Sequence, residues 1–194
     1  MKKIVVGAAM MLMGGAAAQA QDMAPYAGVG IGAFGLEYQE PGLNQKNTVF
    51  GGYGKFGIDV NDYFGVELRL GATTKGSKSY AVGSLGSAVP FSLSFKDDYF
   101  LSYLAKLQYP ASQDFRVYAM LGATSASIKR TSGALGINDS AKKTAFSYGV
   151  GADFNVTEQI SAGAEWMQYW NNVTVGSGIK MKMWGAVGTA SFHF

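Results

Sequence analysis

The sequence has 194 residues with no cysteine and a single histidine, and both shortages limit the chemistry available to it. Without cysteine there is no disulfide framework, no thiol nucleophile and no thiolate-ligated zinc or iron–sulfur site. One histidine cannot build a multi-histidine metal cage, and a histidine-based catalytic dyad would have to use His193. We therefore expect no cofactor and no bound metal.

Charge and proline are also scarce. Charged residues make up 15% of the chain and the formal net charge is +3, which is too small to indicate a nucleic-acid partner. A hydrophobic fraction of 48% excludes a disordered chain, because disorder requires few apolar residues and a high net charge. Four prolines against 27 glycines, with 13% aromatic residues, favour β-structure in a single domain.

The long apolar run of the chain lies at its N-terminus. It extends from Ile4 to Ala18 after the basic start Met1-Lys2-Lys3, and Ala18-Gln19-Ala20 follows as a small-residue cleavage site. These features predict a secretory signal peptide over residues 1–20. An N-terminal membrane anchor is the alternative, but the run falls short of the roughly 20 apolar residues that a transmembrane helix requires. A cysteine-free exported chain of this kind fits the periplasm or outer membrane of a bacterium.

From residue 21 onward, apolar and polar residues alternate with a period of two. In one segment Phe64, Val66 and Leu68 share a face, while Glu67 and Arg69 share the other. The same alternation recurs in three further stretches, which cover residues 101–109, 116–123 and 146–156. Because successive side chains of a strand point to opposite faces, this periodicity indicates β-strands with one apolar face.

Eight such segments are separated by connections that alternate in length. The predicted strands cover residues 25–38, 49–60, 63–73, 98–109, 115–127, 144–156, 160–170 and 181–194. Short turns lie near residues 61–62, 110–114 and 157–159, and longer links cover 39–48, 74–97, 128–143 and 171–180. This pattern predicts an all-β fold for residues 21–194, an eight-stranded antiparallel up-and-down transmembrane β-barrel. A soluble sandwich or lipocalin-like barrel is the alternative, although soluble strands are typically about 5–6 residues long.

Charged residues fall where a membrane barrel needs them. The predicted inward face carries four bases and four acids, which we expect to form a paired charge network in the narrow lumen: Lys55, Arg69, Lys106, Arg116, Asp59, Glu67, Asp153 and Glu165. Lys55 is expected to face either Glu67 or Arg69 across the second hairpin. The long-link end of the barrel, including the adjoining strand ends, carries ten bases against five acids, and no charge remains for the middle of the lipid-facing surface.

Aromatic residues form two groups at opposite ends of the predicted strands. The outward positions at the short-turn end include Phe64, Tyr109, Phe154, Phe192 and Phe194. Those at the long-link end include Phe50, Tyr99, Phe146 and Trp184. Two aromatic belts separated by small and aliphatic residues are typical of the two interfaces of a membrane.

Three short segments resemble a known family. They are Pro25-Tyr26-Ala27-Gly28-Val29-Gly30-Ile31-Gly32, Tyr63-Phe64-Gly65-Val66-Glu67 and Ser191-Phe192-His193-Phe194, and with the signal peptide they resemble the small OmpA/OmpX-type outer-membrane β-barrels of Gram-negative bacteria. The resemblance implies a monomeric protein of the outer membrane, surrounded by its lipids and lipopolysaccharide. It also implies that Phe192 and Phe194 are the signal that the barrel-assembly machinery reads, although Thr189 stands where the family usually has glycine.

The candidate functions are a surface-interaction protein and a channel. Catalysis is not expected, because His193 has no carboxylate near it in sequence and a charge-paired lumen is a structural core. The favoured role is structural and interactive, with basic extracellular loops that contact lipopolysaccharide or host and environmental ligands; a narrow porin-like channel for small solutes is the alternative. The residues expected to contact lipopolysaccharide phosphates are Lys129, Arg130, Lys142 and Lys143, at the two ends of the third long link.

Overall fold

The computed structural model describes residues 23–40, 43–82, 88–134, 136–176 and 178–194, so the predicted signal peptide lies outside the described residues. The described strands are β1 (Ala24–Glu40), β2 (Leu43–Asn61), β3 (Phe64–Thr73), β4 (Gly76–Tyr80), β5 (Phe91–Pro110), β6 (Phe115–Ser132), β7 (Ile137–Asn155), β8 (Ile160–Gly176) and β9 (Ile179–His193). Within these ranges, no helix has the length and apolar character needed to cross a membrane.

The strands form one antiparallel sheet that closes on itself. Neighbours pair in the order β3-β2-β1-β9-β8-β7-β6-β5-β4, and an additional pairing of β3 with β5 completes the ring. The short strand β4 continues the line of β3 along the same edge of β5, so the ring itself has eight members. The predicted eight-stranded antiparallel up-and-down barrel is confirmed.

The two ends of the barrel differ. At the turn end, short connections join β2 to β3, β5 to β6 and β7 to β8. The first residue of β1 and the last residue of β9 also lie at this end. At the hairpin end, three of the four predicted long links are wrong, because they are much shorter than predicted. The strand pairs β1–β2, β6–β7 and β8–β9 continue their hydrogen-bonded pairing almost to the end of each hairpin. The fourth link contains β4 and the first residues of β5. In the outer part of β5, buried and more exposed side chains still alternate: Phe91, Leu93 and Phe95 are buried, whereas Ser92 and Ser94 are more exposed.

The outer surface of the ring carries a continuous apolar band. Its exposed side chains between the two ends include Val29, Ile31, Phe56, Leu68, Leu70, Leu107, Leu121 and Val150. The residues of both predicted aromatic belts lie at the ends of this band, and Phe50, Phe146, Tyr109 and Phe154 are each more than half exposed. Among the described strands, no charged side chain points outward between the belts. A surface of this kind fits lipid and not water.

The aromatic belt at the hairpin end is called the upper aromatic belt below. Beyond it the ring divides into two sheets. Pairing of β7 with β8 ends at Tyr148 opposite Gln168, and pairing of β2 with β3 ends at Gly51 opposite Thr73. One sheet then consists of the outer parts of β8, β9, β1 and β2, and the other of β4, β5, β6 and β7. Their inner faces pack together, with Tyr38 and Phe95 stacked at a ring-centroid distance of 4.6 Å.

Candidate functional site

The lumen at the turn end contains a group of buried charges centred on Arg69. Its guanidinium forms ion pairs with Glu67 and with Glu165, and Nη2 donates to Glu165 Oε2 at 2.7 Å. All three side chains are nearly inaccessible to water. Because β3 and β8 lie on opposite sides of the eight-membered ring, the Arg69–Glu165 pair crosses the full width of the lumen.

A second group lies nearer the turn end and is centred on Asp59. Lys106 Nζ lies 3.0 Å from Asp59 Oδ1, and Arg116 Nη1 lies 3.0 Å from Asp59 Oδ2. Asp153 stands opposite Arg116 in the β6–β7 register, but its polar contact is a 3.3 Å hydrogen bond donated by Thr189 Oγ1.

The structure places Lys55 beside both residues that the sequence left open as its partner. Lys55 is directly opposite Arg69 in the β2–β3 register. Its Nζ nevertheless lies 3.9 Å from Glu67 Oε2, one rung away, and Glu67 therefore forms ion pairs with both of these neighbouring cations. Of the eight inward charges that the sequence indicated, seven take part in described ion pairs and Asp153 does not.

Three tyrosines that the sequence analysis did not single out complete this network. Tyr26 donates to Glu67 at 2.7 Å, Tyr53 donates to Glu165 at 3.0 Å, and Tyr118 lies 3.4 Å from the second oxygen of Glu165. Each ring covers a glycine of the adjacent strand, so that a methyl group there would overlap it: Tyr26 on Gly57, Tyr53 on Gly30 and Tyr118 on Gly151. The sequence could have indicated the tyrosine–glutamate contacts only through strand parity, which places each tyrosine and its glutamate on the inward face.

The hairpin half of the interior is apolar, a feature that the sequence analysis did not identify. It is filled by large side chains with almost no exposed surface, among them Phe34, Phe100, Met167, Tyr169, Trp170 and Met183. Trp170 Nε1 donates to the backbone carbonyl of Thr124 across the interior at 3.0 Å. Ion pairs at one end and this core at the other occupy the lumen along its length.

The lone histidine lies at the turn end on the inward face. His193 Nε2 is 3.1 Å from Ser161 Oγ, and its ring lies 5.5 Å from that of Tyr26. Within the described ranges no carboxylate hydrogen-bonds to it, so this pair lacks the orienting group of a nucleophile–base–acid arrangement. The described residues also hold no group of three or more His, Cys, Asp or Glu side chains suited to a metal ion.

The β6–β7 hairpin carries the four cations that the sequence analysis grouped together, and they are divided between its two faces. Lys129 and Lys142 point to the outer surface, and Lys142 Nζ lies 5.5 Å from the ring centre of Tyr99 in the upper aromatic belt. Arg130 and Lys143 have the inward parity, and Arg130 Nη1 donates to the Tyr38 hydroxyl at 2.9 Å. The sequence treated these four as one cluster.

A third lysine joins the outer pair. Lys96 stands directly opposite Lys129 in the β5–β6 register, and its Nζ lies 2.8 Å from Asp98. Like charges directly opposite on adjacent strands repel each other. Lys96, Lys129 and Lys142, called the rim lysines below, therefore form a basic patch just beyond the apolar band.

One buried acid lies next to this patch on the inner face. Asp97 has no exposed surface, and among the described residues no lysine or arginine pairs with it. It lies beyond Tyr99, where β5 leaves the apolar band. Burial raises the pKa of its carboxyl to about 8; the nearby Asp98 carboxylate adds to this rise, and the Ser127 amide opposes it.

At the other end, the chain finishes with two aromatic residues on the lipid-facing side. Phe192 is the outward residue of β9 opposite Ala27 of β1, and Phe194 follows the last strand. Their rings meet edge to face at 5.4 Å, and Phe194 is 72% exposed. The ring contact described for Phe194 is therefore with Phe192, and most of its surface is exposed.

Comparison with known proteins agrees with this architecture. A family model for the outer membrane protein beta-barrel domain matches residues 5–192. Among solved structures, the Yersinia pestis attachment invasion locus protein Ail, in complex with the heparin analogue sucrose octasulfate, is 20% identical with a TM-score of 0.54, over 88% of this chain and 99% of Ail. Neisserial surface protein A is 14% identical with a TM-score of 0.56, over 88% and 97% of the two chains.

A major outer membrane protein from Thermus thermophilus is 13% identical with a TM-score of 0.61, over 89% of this chain and 99% of that one. At these identities the likeness to solved structures is one of fold. No protein among those with curated descriptions matches the sequence. The family match spans nearly the whole chain and agrees with the closed ring and its apolar band, so the chain belongs to the outer membrane protein beta-barrel domain family and lies in the outer membrane as a β-barrel.

Proposed function

We propose that this barrel is a structural and surface-interaction protein, monomeric, with its hairpin end outside the cell. Its rim lysines bind phosphate groups of lipopolysaccharide in the outer leaflet. The observation that carries the proposal is the direct pairing of Lys96 with Lys129 on the outer face, with Lys142 nearby. Asp98 is the acid described in contact with Lys96, so the patch keeps an excess of positive charge.

An anionic ligand relieves this repulsion. Phosphate oxygens accept charge-assisted hydrogen bonds from lysine, and one phosphate can be shared by two ammonium groups on adjacent strands. Tyr99 stands at the level of the membrane interface, so the rim lysines lie at the depth of lipid headgroups. Arg130 and Lys143 add positive charge from the inner side of the same hairpin.

A sulfated glycan is a second ligand of the same chemistry. Ail, which shares the fold, was crystallised with the heparin analogue sucrose octasulfate. Sulfate and phosphate both present several charged oxygens, and the rim lysines suit either. We propose lipopolysaccharide as the resident ligand and polyanionic surface molecules of a host as the occasional one.

The filled interior supports a role that is neither transport nor catalysis. Arg69 and Glu165 bridge the lumen at one end, and Trp170 with its apolar neighbours occupies the other. Eight-stranded barrels have interiors just wide enough for side chains to fill. A narrow channel remains the alternative function, and it requires these side chains to move aside.

The test uses lipopolysaccharide retention. The triple variant Lys96→Gln, Lys129→Gln, Lys142→Gln is expected to co-purify with less lipopolysaccharide and to lose the salt dependence of its release. A matched control changes three lysines in the other sheet of the hairpin end, Lys46→Gln in β2 with Lys180→Gln and Lys182→Gln in β9. This control is expected to retain lipopolysaccharide. Equal retention by both variants across a salt titration would contradict the proposal.

Export and assembly complete the proposal. We propose that residues 1–20 are a cleaved signal peptide and that Phe192 and Phe194 are read by the barrel-assembly machinery. The largely exposed ring of Phe194, whose described ring contact is with Phe192, supports this role, because we expect its removal to cost the folded barrel little. Phe194→Ala is expected to lower the amount of assembled protein in cells while leaving the unfolding free energy of refolded barrel within about 0.5 kcal/mol. An equal loss in both measurements would assign Phe194 to stability instead.

A further inference from the structure

A groove runs along the outer surface of β6, from the rim lysines toward the membrane. Its floor consists of small, half-buried side chains at successive outward positions, Ser127, Ser125 and Ala123. The residues directly opposite them, most of them larger, form the walls: Tyr99, Leu101 and Tyr103 on β5, and Lys142, Thr144 and Phe146 on β7. Side chains opposite each other on adjacent strands stand side by side, so small residues between larger ones leave a furrow. This furrow is called the β6 groove below.

The walls of the β6 groove stand above its floor. Tyr103 and Phe146, which flank Ala123 on its two sides, are 50% and 62% exposed. From Lys129 at the outer end to Ala123, the strand covers about 20 Å at roughly 3.3 Å per residue. The groove is therefore long and narrow, which suits an extended aliphatic chain better than a compact ligand.

The outer end of the groove is positively charged. Lys129 stands directly opposite Lys96, and Lys142 lies on the next outward rung toward the membrane. Among the described residues, Asp98 is the acid in contact with these lysines, and it pairs with Lys96. Three cations against one acid leave an excess of positive charge, which favours an anionic head group at this end.

Toward the membrane, the groove changes from polar to apolar. The hydroxyl oxygens of Ser125 and Thr144 lie 2.6 Å apart, directly opposite each other on the outer face. One rung further, Ala123 lies between the rings of Tyr103 and Phe146, within the apolar band. The order of cations, hydroxyl groups and apolar furrow matches the order of groups along an acylated phosphate lipid, from the phosphate through an ester or hydroxyl group to the aliphatic chain.

A second outward row of small residues, on β9, lacks the charged end. Ala186, Gly188 and Ala190 occupy successive exposed positions there. At the outer end of this row Lys182 stands directly opposite Glu37, which also pairs with Lys46. An acid thus offsets the cations at this end. Small residues alone therefore do not distinguish the β6 groove, and its excess of lysines does.

We propose that the rim lysines and the β6 groove together form a site for one lipopolysaccharide molecule. One of its phosphates lies between Lys96 and Lys129, and one of its acyl chains lies along Ser125 and Ala123. The inference rests on the proposed function for the phosphate contact and adds a defined surface for the chain. The site therefore selects an acylated phosphate over a water-soluble polyanion.

The first test compares two outward methyl groups of the wild-type barrel. Protein labelled at its alanine methyl groups is placed in nanodiscs of perdeuterated phosphatidylcholine that contain protonated lipopolysaccharide. A strong nuclear Overhauser contact from acyl-chain protons is expected at Ala123, with a weak or absent one at Ala186. Equal contacts at both alanines would mean that the lipid surrounds the barrel without a site, and would overturn the proposal. The same preference for Ala123 with protonated phosphatidylglycerol in place of lipopolysaccharide would also overturn the choice of lipid.

The second test blocks the groove. Ala123→Phe raises the floor to the height of the walls and is expected to weaken binding of intact lipopolysaccharide about 10-fold, while de-acylated lipopolysaccharide, which keeps its phosphates, stays within about 2-fold of wild type. Ala186→Phe adds the same ring to the exposed face of β9 and is expected to change neither affinity. Both variants should fold, because each adds an apolar ring to the lipid-facing surface.

The outcomes separate this inference from the function on which it rests. The triple variant Lys96→Gln, Lys129→Gln, Lys142→Gln is expected to weaken binding of intact and de-acylated lipopolysaccharide alike. Weaker binding by this variant, with wild-type affinity in folded Ala123→Phe, would overturn the groove and leave the proposed function standing. Wild-type affinity in the lysine variant would contradict both.

Discussion

Arg69 and Glu165 form a two-pronged ion pair across the lumen, in which Arg69 Nη2 donates to Glu165 Oε2 at 2.7 Å. The two residues belong to β3 and β8, which lie on opposite sides of the ring. Glu67, Tyr53 and Tyr118 supply further contacts, so both charges are surrounded by polar partners. This pair links the two halves of the barrel across the lumen.

Removing one member of the pair should destabilise the barrel strongly. Glu165→Gln leaves the buried Arg69 short of a counter-charge and is expected to lower the free energy of unfolding by roughly 3–5 kcal/mol. Asp153→Asn is the matched control, because Asp153 is an inward acid without a described ion pair and should cost less than about 1 kcal/mol. Urea titration in lipid vesicles, followed by tryptophan fluorescence, measures both. Similar costs for the two variants would mean that the crossing pair has no special weight.

Glycines under the lumenal tyrosines should be intolerant of a methyl group. Gly57→Ala pushes the Tyr26 ring away from Glu67 and is expected to cost about 1–3 kcal/mol of unfolding free energy. Gly54→Ala, in the same strand, has no atom within 4 Å of the new methyl group and should be neutral. The same urea titration compares the two. A neutral Gly57→Ala would show that the ring moves without cost.

Much of this architecture follows from the sequence. Strand parity alone assigns Lys55, Glu67, Arg69 and Lys106 to the inner face, because no charge can face lipid. It cannot assign partners, since Lys55 has both Glu67 and Arg69 within one rung. The partner choice depends on how side chains from distant strands meet in the lumen, as Arg69 meets Glu165.

The hairpin end was less predictable for a specific reason. Beyond the membrane both faces of a strand can be polar, so the contrast that marks a strand weakens. A bulge between Asp97 and Tyr99 also shifts the inward parity of β5, from the odd positions of Phe95 and Asp97 to the even position of Phe100. Nothing local in the sequence marks that shift. The division of Arg130 from Lys129 similarly becomes clear only when the hairpin is seen to continue as paired strands.

Asp97 should give the barrel a pH-dependent stability. Its folded pKa is about 8 against an ordinary value of 3.8, so between these values the folded chain keeps a proton that the unfolded chain releases. Raising the pH through this window therefore favours unfolding, by up to about 1.4 kcal/mol per pH unit from this group, and the dependence ends above the folded pKa. Asp97→Asn is expected to flatten the slope measured by urea titration at several pH values. An unchanged slope would mean that Asp97 is ionised in the folded barrel.

The orientation of the barrel is testable because the chain has no cysteine. Gly133→Cys places a thiol at the exposed tip of the β6–β7 hairpin, and Asp62→Cys places one in the exposed turn between β2 and β3. A membrane-impermeant maleimide added to intact cells should label the first and not the second. Labelling at residue 62 alone would reverse the proposed orientation.

Planar-bilayer conductance tests the central claim most directly, that the barrel acts through its surface and not through its lumen. The wild-type protein, with Arg69–Glu165 at one end and the Trp170 core at the other, is predicted to give no steady current above that of the bare bilayer. The double variant Arg69→Ala, Glu165→Ala, reconstituted at the same protein density, serves as the comparison with the crossing pair removed. Stable, reproducible current steps from the wild-type barrel would contradict the account and establish the channel.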